Sequence, residues 1–168
     1  MKRVLVTITV VSMAIFMLLF MGGCKRGPGI IEEAIERETG ATVDSTGDQT
    51  TITTDEGEMV IGEGAELPDG FPGVVPMYPD MKITSSFKTT QDGKSNYSIA
   101  AESSDAMDKV ADWYRNQLGS WNIDSEYTSE SDGVKTTMFN ASKDNYYLWL
   151  WLADADGKTS VTLSVDEQ

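Results

Sequence analysis

Histidine is absent from this chain of 168 residues, and Cys24 is its only cysteine. Without an imidazole, the chain lacks the usual general base, the commonest metal ligand and every catalytic triad that depends on histidine. A lone cysteine also excludes internal disulfides and zinc sites built from several thiolates. We therefore expect no catalytic residue, no metal and no cofactor in this protein.

Basic residues are scarce as well. The chain has 13 Lys and Arg against 27 Asp and Glu, which gives a formal net charge of −14. An acidic surface of this kind repels phosphate polymers. We therefore expect no nucleic acid among the partners of the protein.

The one long apolar run lies at the N-terminus, where Lys2 and Arg3 precede residues 4–21. A basic start followed by such a run is typical of a secretory signal. The run ends in the letters MGGC at residues 21–24, which resemble a bacterial lipobox. In such signals, signal peptidase II cuts before a cysteine that carries thioether-linked diacylglycerol.

The lipobox resemblance implies that residues 1–23 are a signal peptide and that Cys24 becomes the acylated first residue of a mature lipoprotein. Two or three acyl chains anchor a protein stably, whereas one chain binds only marginally. The lipid bilayer is then a partner through these chains, on the extracytoplasmic side of the cell membrane or outer membrane. A retained membrane-spanning helix and an ordinary signal peptide with a chance cysteine are the alternatives.

Residues 24–66 are predicted to form a flexible acidic tether with small structured parts. Residues 30–38 have isoleucines on one side of a helical pattern and glutamates on the other, which predicts a short amphipathic helix. Residues 40–49 are small, polar and acidic, which favours a linker. Residues 50–54 and 58–61 predict two brief strands of a hairpin.

A proline-rich segment, the strap (residues 67–79), begins the predicted globular domain at residues 67–168. It contains four of the five prolines of the chain, interspersed with apolar side chains. Proline fixes its own backbone and keeps the preceding residue extended. We predict that the strap packs along the edge of the fold, and a docking surface for a partner is the alternative.

The hydrophobic pattern becomes regular from residue 81 onward. Alternating residues predict six strands, at residues 81–90, 96–102, 121–128, 134–141, 145–153 and 159–165. A helical repeat predicts one helix over residues 105–118, with Ser104 as its cap. Short turns with aspartate or glycine should pair successive strands antiparallel. The predicted fold class is α+β, a single antiparallel sheet of about six strands in the order ββαββββ with one helix on one face.

The motif FPGVVPMYPD at residues 71–80, a strand pair and then VADWYRNQL and GSW at residues 110–121 complete this pattern. The combination resembles a small domain of exported bacterial lipoproteins whose function is unknown. The resemblance covers residues 67–165. It implies no catalytic residue.

The strand at residues 145–153 carries an unusual set of aromatic side chains on the side opposite its leucines. They are Tyr147, Trp149 and Trp151. If the leucines face the helix, the aromatics share the other face with hydroxyl groups of neighbouring strands, including Thr137 and Ser86. Aromatics among hydroxyls and lysines are typical of a surface that stacks on a sugar ring or a peptide. The alternative is that the strap or the helix at residues 30–38 covers them.

Two acidic residues, Asp154 and Asp156, are spaced like the opening of a calcium loop. The twelfth position of that loop holds Val165 where the motif needs glutamate. A hairpin turn therefore explains this pair better than a metal site.

Three functions follow from the sequence as hypotheses. The first is a noncatalytic, lipid-anchored binding or assembly module whose aromatic strand contacts cell-wall glycan or an envelope protein. The second is a purely structural accessory lipoprotein in which the aromatics are covered. The third is a hydrolase of cell-envelope polymer that uses two carboxylates, such as Glu102 with Asp124 or Glu126.

Overall fold

The computed structural model of the chain describes residues 40–62 and 64–168. Cys24, the signal peptide at residues 1–23 and the helix predicted at residues 30–38 lie outside these ranges. Within them, no helix combines the length and the hydropathy that a membrane crossing requires.

The described residues form nine strands and one α-helix, which a 3₁₀ turn at Leu118–Ser120 follows. The strands before the helix are β1 Thr42–Thr46, β2 Gln49–Thr54, β3 Gly57–Gly62, β4 Lys82–Gln91 and β5 Lys94–Ser103. The helix is α1 Met107–Gln117. The strands after it are β6 Asn122–Ser131, β7 Val134–Lys143, β8 Tyr146–Ala155 and β9 Lys158–Glu167.

All nine strands lie in one antiparallel sheet with the order β1-β2-β3-β4-β5-β9-β8-β7-β6. The prediction of about six strands is therefore wrong, because residues 42–62 add three strands to the sheet. The sheet begins at Thr42, before the strap. Residues 40–49, predicted as linker, contain the edge strand β1. β3 pairs with β4 through backbone hydrogen bonds, and such bonds can form without an apolar pattern in the sequence.

Three long hairpins owe their register to an Asp-Gly turn. Asp92, Asp132 and Asp156 have φ of 53° to 54°, and the glycine after each has φ of 77° to 80°. Two successive residues with positive φ form the turn whose twist matches that of paired strands. Each hairpin therefore joins two strands of ten residues by a loop of two.

One face of the sheet, the core face, packs against α1 and the strap. Leu148, Leu150 and Leu152 of β8 are fully buried there. The strap joins the same core, since the hydroxyl of Tyr97 donates to the carbonyl of Gly70 at 2.8 Å. The core therefore fills the space between the sheet, α1 and the strap, and it has these further members: Ile99, Val110, Tyr114, Phe139, Val161, Leu163 and Val165.

The start of α1 differs from the expected cap at Ser104. The N-cap residue is Ala106, whose side chain makes no capping hydrogen bond. The Asp105 carboxylate instead accepts hydrogen bonds from the Tyr78 hydroxyl at 2.6 Å and from Lys109 Nζ at 2.8 Å. The Asp105 carbonyl accepts another from Thr159 Oγ1 at 2.7 Å. These bonds tie the strap, α1 and β9 together at one point.

The same hydrogen bonds shift the pKa values of the groups involved. The pKa of Asp105 lies below its ordinary value because Lys109 and Tyr78 both donate to its carboxylate. The pKa of Tyr78 is raised because its hydroxyl donates to Asp105. Both shifts favour the arrangement of a charged carboxylate and a neutral phenol at physiological pH.

Candidate functional site

The face of the sheet opposite the core, the open face, has no described segment lying over it. Among residues 40–62 and 64–168, the strap and α1 are the two segments outside the sheet with apolar side chains, and both pack on the core face. Sheets of this kind usually present polar side chains to water on their free side. Here the free side carries aromatic and aliphatic side chains among its polar ones, so it is the candidate functional site.

The aromatic part of the open face lies on β8. Burial along this strand alternates as predicted, with the leucines buried and Tyr147, Trp149 and Trp151 half-buried. The Trp149 indole N–H points at the sulfur of Met138, 3.1 Å away on β7. Thioethers accept hydrogen bonds weakly and pack well on aromatic rings, so this contact orients the indole at small cost.

Two rows of cross-strand neighbours run through the tryptophans. The row through Trp151 has Met138 and Tyr127 on one side and Thr162 and Ala100 on the other. Tyr127 is 62% exposed. The side chains of this row are therefore largely apolar from β6 to β8 and small on β9 and β5.

The row through Trp149 is polar on both sides. Asn140 of β7 and Ser164 of β9 are its direct partners. Ser125 and Ser98 stand one strand further out on each side, and Asn140 Nδ2 donates to Ser125 Oγ at 2.7 Å. The Trp149 ring is therefore bordered by amide and hydroxyl groups that can form hydrogen bonds with a ligand.

A second, aliphatic part of the open face lies on β1 to β4, which the sequence analysis did not predict. The register places Phe87 of β4 beside Met59, Met59 beside Ile52, and Ile52 beside Val43. The signal available was the alternation of Ile52 in β2 and of Met59 and Ile61 in β3. Because such short strands are also typical of small structured parts within a tether, this pattern alone does not place them in the sheet.

The predicted hydroxyl neighbours of the aromatics are partly wrong. Ser86 is 2% exposed and Thr137 is 1% exposed, and both face the core. In β4 the cause is a register shift between Ile83 and Ser85, which reverses the faces of the following residues. In β7, Thr137 lies two residues from the buried Phe139, so both side chains point to the core face. The hydroxyls beside the aromatics come mainly from β9 and β5.

The carboxylates proposed for a hydrolase do not meet. Glu102 lies on β5, and Asp124 and Glu126 lie on β6, with β9, β8 and β7 between them. Four strand spacings separate them by about 19 Å, well beyond the roughly 5 to 9.5 Å between glycosidase carboxyl groups. Glu126 also accepts a hydrogen bond from Arg115 Nε at 2.7 Å. Neither pair is therefore assembled as a catalytic site.

The two aspartates spaced like a calcium loop serve a hairpin turn. The amide of Gly157 donates to Asp154 Oδ1 at 3.3 Å, and Asp156 is one of the two turn residues with positive φ. In residues 40–62 and 64–168, no group of three or more acidic or other ligating side chains is placed to hold a metal. A shallow depression of about 530 Å³ lies between this turn and the turn at Asp132.

Residues 83–165 match the START domain-like family model. That family has a helix-grip type of fold, and the matched segment contains α1 and all but the margins of β4 to β9. The aromatic part of the open face lies inside the segment similar to the START-like family, whereas β1 to β3 lie before it. No curated protein matches the chain.

Proposed function

We propose that the protein is a noncatalytic binding module, anchored by acyl chains on Cys24 to the extracytoplasmic side of the cell membrane or outer membrane. Its open face binds a ligand through the aromatic strand β8. The observation that carries this proposal is the partly exposed pair of Trp149 and Trp151, with the strap and α1 both on the opposite face.

Burial on the two sides of β8 supports the proposal. The leucines of this strand are at most 1% exposed and account for its contribution to the core. The tryptophans point to the opposite side of the strand, where part of each ring stays accessible to solvent. Aromatic contacts with a ligand are worth about 0.5 to 1.5 kcal/mol each beyond the area they bury. Two adjacent indoles are therefore enough to make a weak but specific binding surface.

The groups around the indoles favour a glycan of the cell envelope as the ligand. A sugar offers an apolar ring face for stacking and hydroxyl groups around its rim. Trp149 offers a ring with Asn140 and Ser164 beside it, which matches that combination. The similarity to the START-like family also suggests ligand binding, without specifying the ligand.

Calorimetric titration with solubilised cell-wall glycan strands tests this function. The double variant Trp149→Ala, Trp151→Ala should bind about tenfold or more weakly, because it loses two stacking contacts. Leu67→Ala is the matched control, since it removes an apolar side chain of the strap that is 41% exposed. Equal affinities of the double variant and the wild type would refute glycan binding by this face.

The anchor is tested separately by mass spectrometry of the protein purified from membranes. We expect a chain that begins at Cys24 and carries acyl groups on that residue. A chain that still begins at Met1, or a free thiol at Cys24, would contradict the lipoprotein assignment. The open face could still bind a ligand in that case, so the two tests are independent.

A further inference from the structure

The free edge of the sheet at β6 is a second surface, distinct from the open face. We propose that it binds an extended, basic segment of another protein, which joins the sheet as an additional strand beside β6. Nine of the ten residues of β6 are exposed. Edge strands with free backbone groups are sites for strand addition.

The β6–β7 hairpin repeats the β4–β5 hairpin within the same chain. Both have two strands of ten residues, an Asp-Gly turn and a register shift near the open end of the hairpin. The shift lies between Ile83 and Ser85 in one hairpin and between Ile123 and Ser125 in the other. The two hairpins also occupy equivalent places on either side of the central β8–β9 pair.

The strands β4 to β9 form a pseudosymmetric unit with β4 and β6 as its outer strands. The two outer strands differ in whether a further strand pairs with them. β3 covers the outer edge of β4, where it pairs with residues 85–89. In the described part of the chain, no strand pairs with the outer edge of β6. By the repeat, residues 125–129 of β6 correspond to the segment of β4 that β3 covers. The pairing of β3 with β4 therefore shows how an added strand would pair with β6.

The pairing of β3 with β4 also indicates which backbone amides of β6 point toward the free edge. The Thr90 amide of β4 donates outward to the carbonyl of Glu56 at 2.9 Å. Outward and inward amides alternate along an antiparallel strand. By the repeat, Glu130, Thr128 and Glu126 present their amides at the free edge. These three amides can bond to an added strand without disturbing the pairing of β6 with β7.

Charge determines which kind of strand fits. At the occupied edge, Lys88 of β4 stands opposite Glu58 of β3. The free edge is acidic, because β6 has no basic residue and carries Asp124 and Glu130 in addition to Glu126, which is already paired with Arg115. A second copy of β6 would place like charges together, which is unfavourable. The complementary occupant is therefore a basic segment of a different protein.

The occupant also needs an apolar side chain on the side of the open face. Tyr127 of β6 corresponds to Phe87 of β4, which has Met59 as its partner. Because Tyr127 is 62% exposed, an apolar residue opposite it would cover the ring. The inferred recognition sequence alternates apolar residues with Lys or Arg.

A fluorescent peptide of about nine residues, with Lys and Met at alternate positions, is the probe. Binding to the full chain in non-ionic detergent is measured by anisotropy, and a peptide with Glu in place of Lys is the charge control. We expect the lysine peptide to bind at least tenfold more tightly than the glutamate peptide. Equal binding of the two peptides would overturn the inferred charge preference.

The decisive comparison is between Thr128→Pro and Thr128→Ala. Both remove the threonine hydroxyl, but only proline removes the outward amide, and an edge strand tolerates proline where its N–H faces solvent. Thr128→Pro should weaken peptide binding at least tenfold, and Thr128→Ala should bind like the wild type. If both variants bind like the wild type, strand addition at β6 is refuted.

Two further measurements protect this comparison. Hydrogen exchange of the wild type should slow at Glu126, Thr128 and Glu130 when the lysine peptide is added, which does not depend on any variant folding. Unchanged exchange at these amides would contradict the proposal. Sedimentation of the chain alone should show no dimer that Thr128→Pro dissociates. Such a dimer would identify a second copy as the occupant and overturn the assignment to a basic partner.

Discussion

The two faces of β8 should differ sharply in their contribution to stability, and adjacent alanine substitutions compare them. Leu150 is 0% exposed and lies between Phe139 and Leu163 on the core face. Leu→Ala substitutions in cores cost about 2 to 5 kcal/mol, most where the surroundings cannot collapse. Because strands flank Leu150 on both sides in the middle of the core, we expect Leu150→Ala to cost about 3 to 5 kcal/mol.

Trp149→Ala should cost much less, although tryptophan is the larger side chain. Its side chain is partly exposed on the open face, and its indole N–H contacts the Met138 sulfur. Surface substitutions usually lie within about 0.5 kcal/mol, and a contact between sulfur and an aromatic ring adds about 0.3 to 1.5 kcal/mol. We therefore expect about 1 kcal/mol for Trp149→Ala.

Urea denaturation of both variants, followed by circular dichroism, measures the difference. With a slope of about 2 kcal/mol per molar urea, the midpoint should fall by about 2 M for Leu150→Ala and by about 0.5 M for Trp149→Ala. A loss for Trp149→Ala as large as that for Leu150→Ala would contradict the expected difference between the two faces. It would mean that a covering segment packs the tryptophan as tightly as the core packs the leucine.

Three further predictions test the parts of the fold that support the site. Because the pKa of Asp105 is lowered from 3.8, its carboxylate stabilises the fold above that pH. The deficit in urea midpoint of Asp105→Asn should therefore be full at pH 7 and shrink as the pH falls through the folded pKa. Gly57→Ala would place a Cβ 2.0 Å from the Lys88 carbonyl oxygen, so exchange of β3 amides should accelerate while β8 stays protected. Tyr114→Phe removes the acceptor of the Tyr78 amide and should cost about 1 kcal/mol in urea denaturation; no loss would contradict that bond.

The elements from residue 81 onward could be predicted from sequence, because their strands bury one face and alternate strongly. Leu148, Leu150 and Leu152 show this clearly, and the Asp-Gly turns mark the ends of the strands. β1 to β3 could not be predicted as part of the sheet. Their burial is intermediate at best, and backbone pairing with an edge strand leaves little trace in sequence.

The candidate site was predictable only in part for the same reason. The alternation within β8 located Tyr147, Trp149 and Trp151. The neighbours of these residues depend on register and on the shift near Ser85, which moves Ser86 into the core and Phe87 onto the open face. A single extra residue in a strand moves every following side chain to the other face of the sheet. No local pattern in the sequence predicts where such a residue occurs.

Acrylamide quenching of tryptophan fluorescence measures whether the open face is free and whether it takes a ligand. A variant with Trp113→Phe and Trp121→Phe leaves Trp149 and Trp151 as its only indoles. We predict that acrylamide quenches their fluorescence in the full chain and that solubilised cell-wall glycan protects them. Indoles that are already shielded without glycan would show that the open face is covered, and quenching that glycan leaves unchanged would show that this face does not bind it.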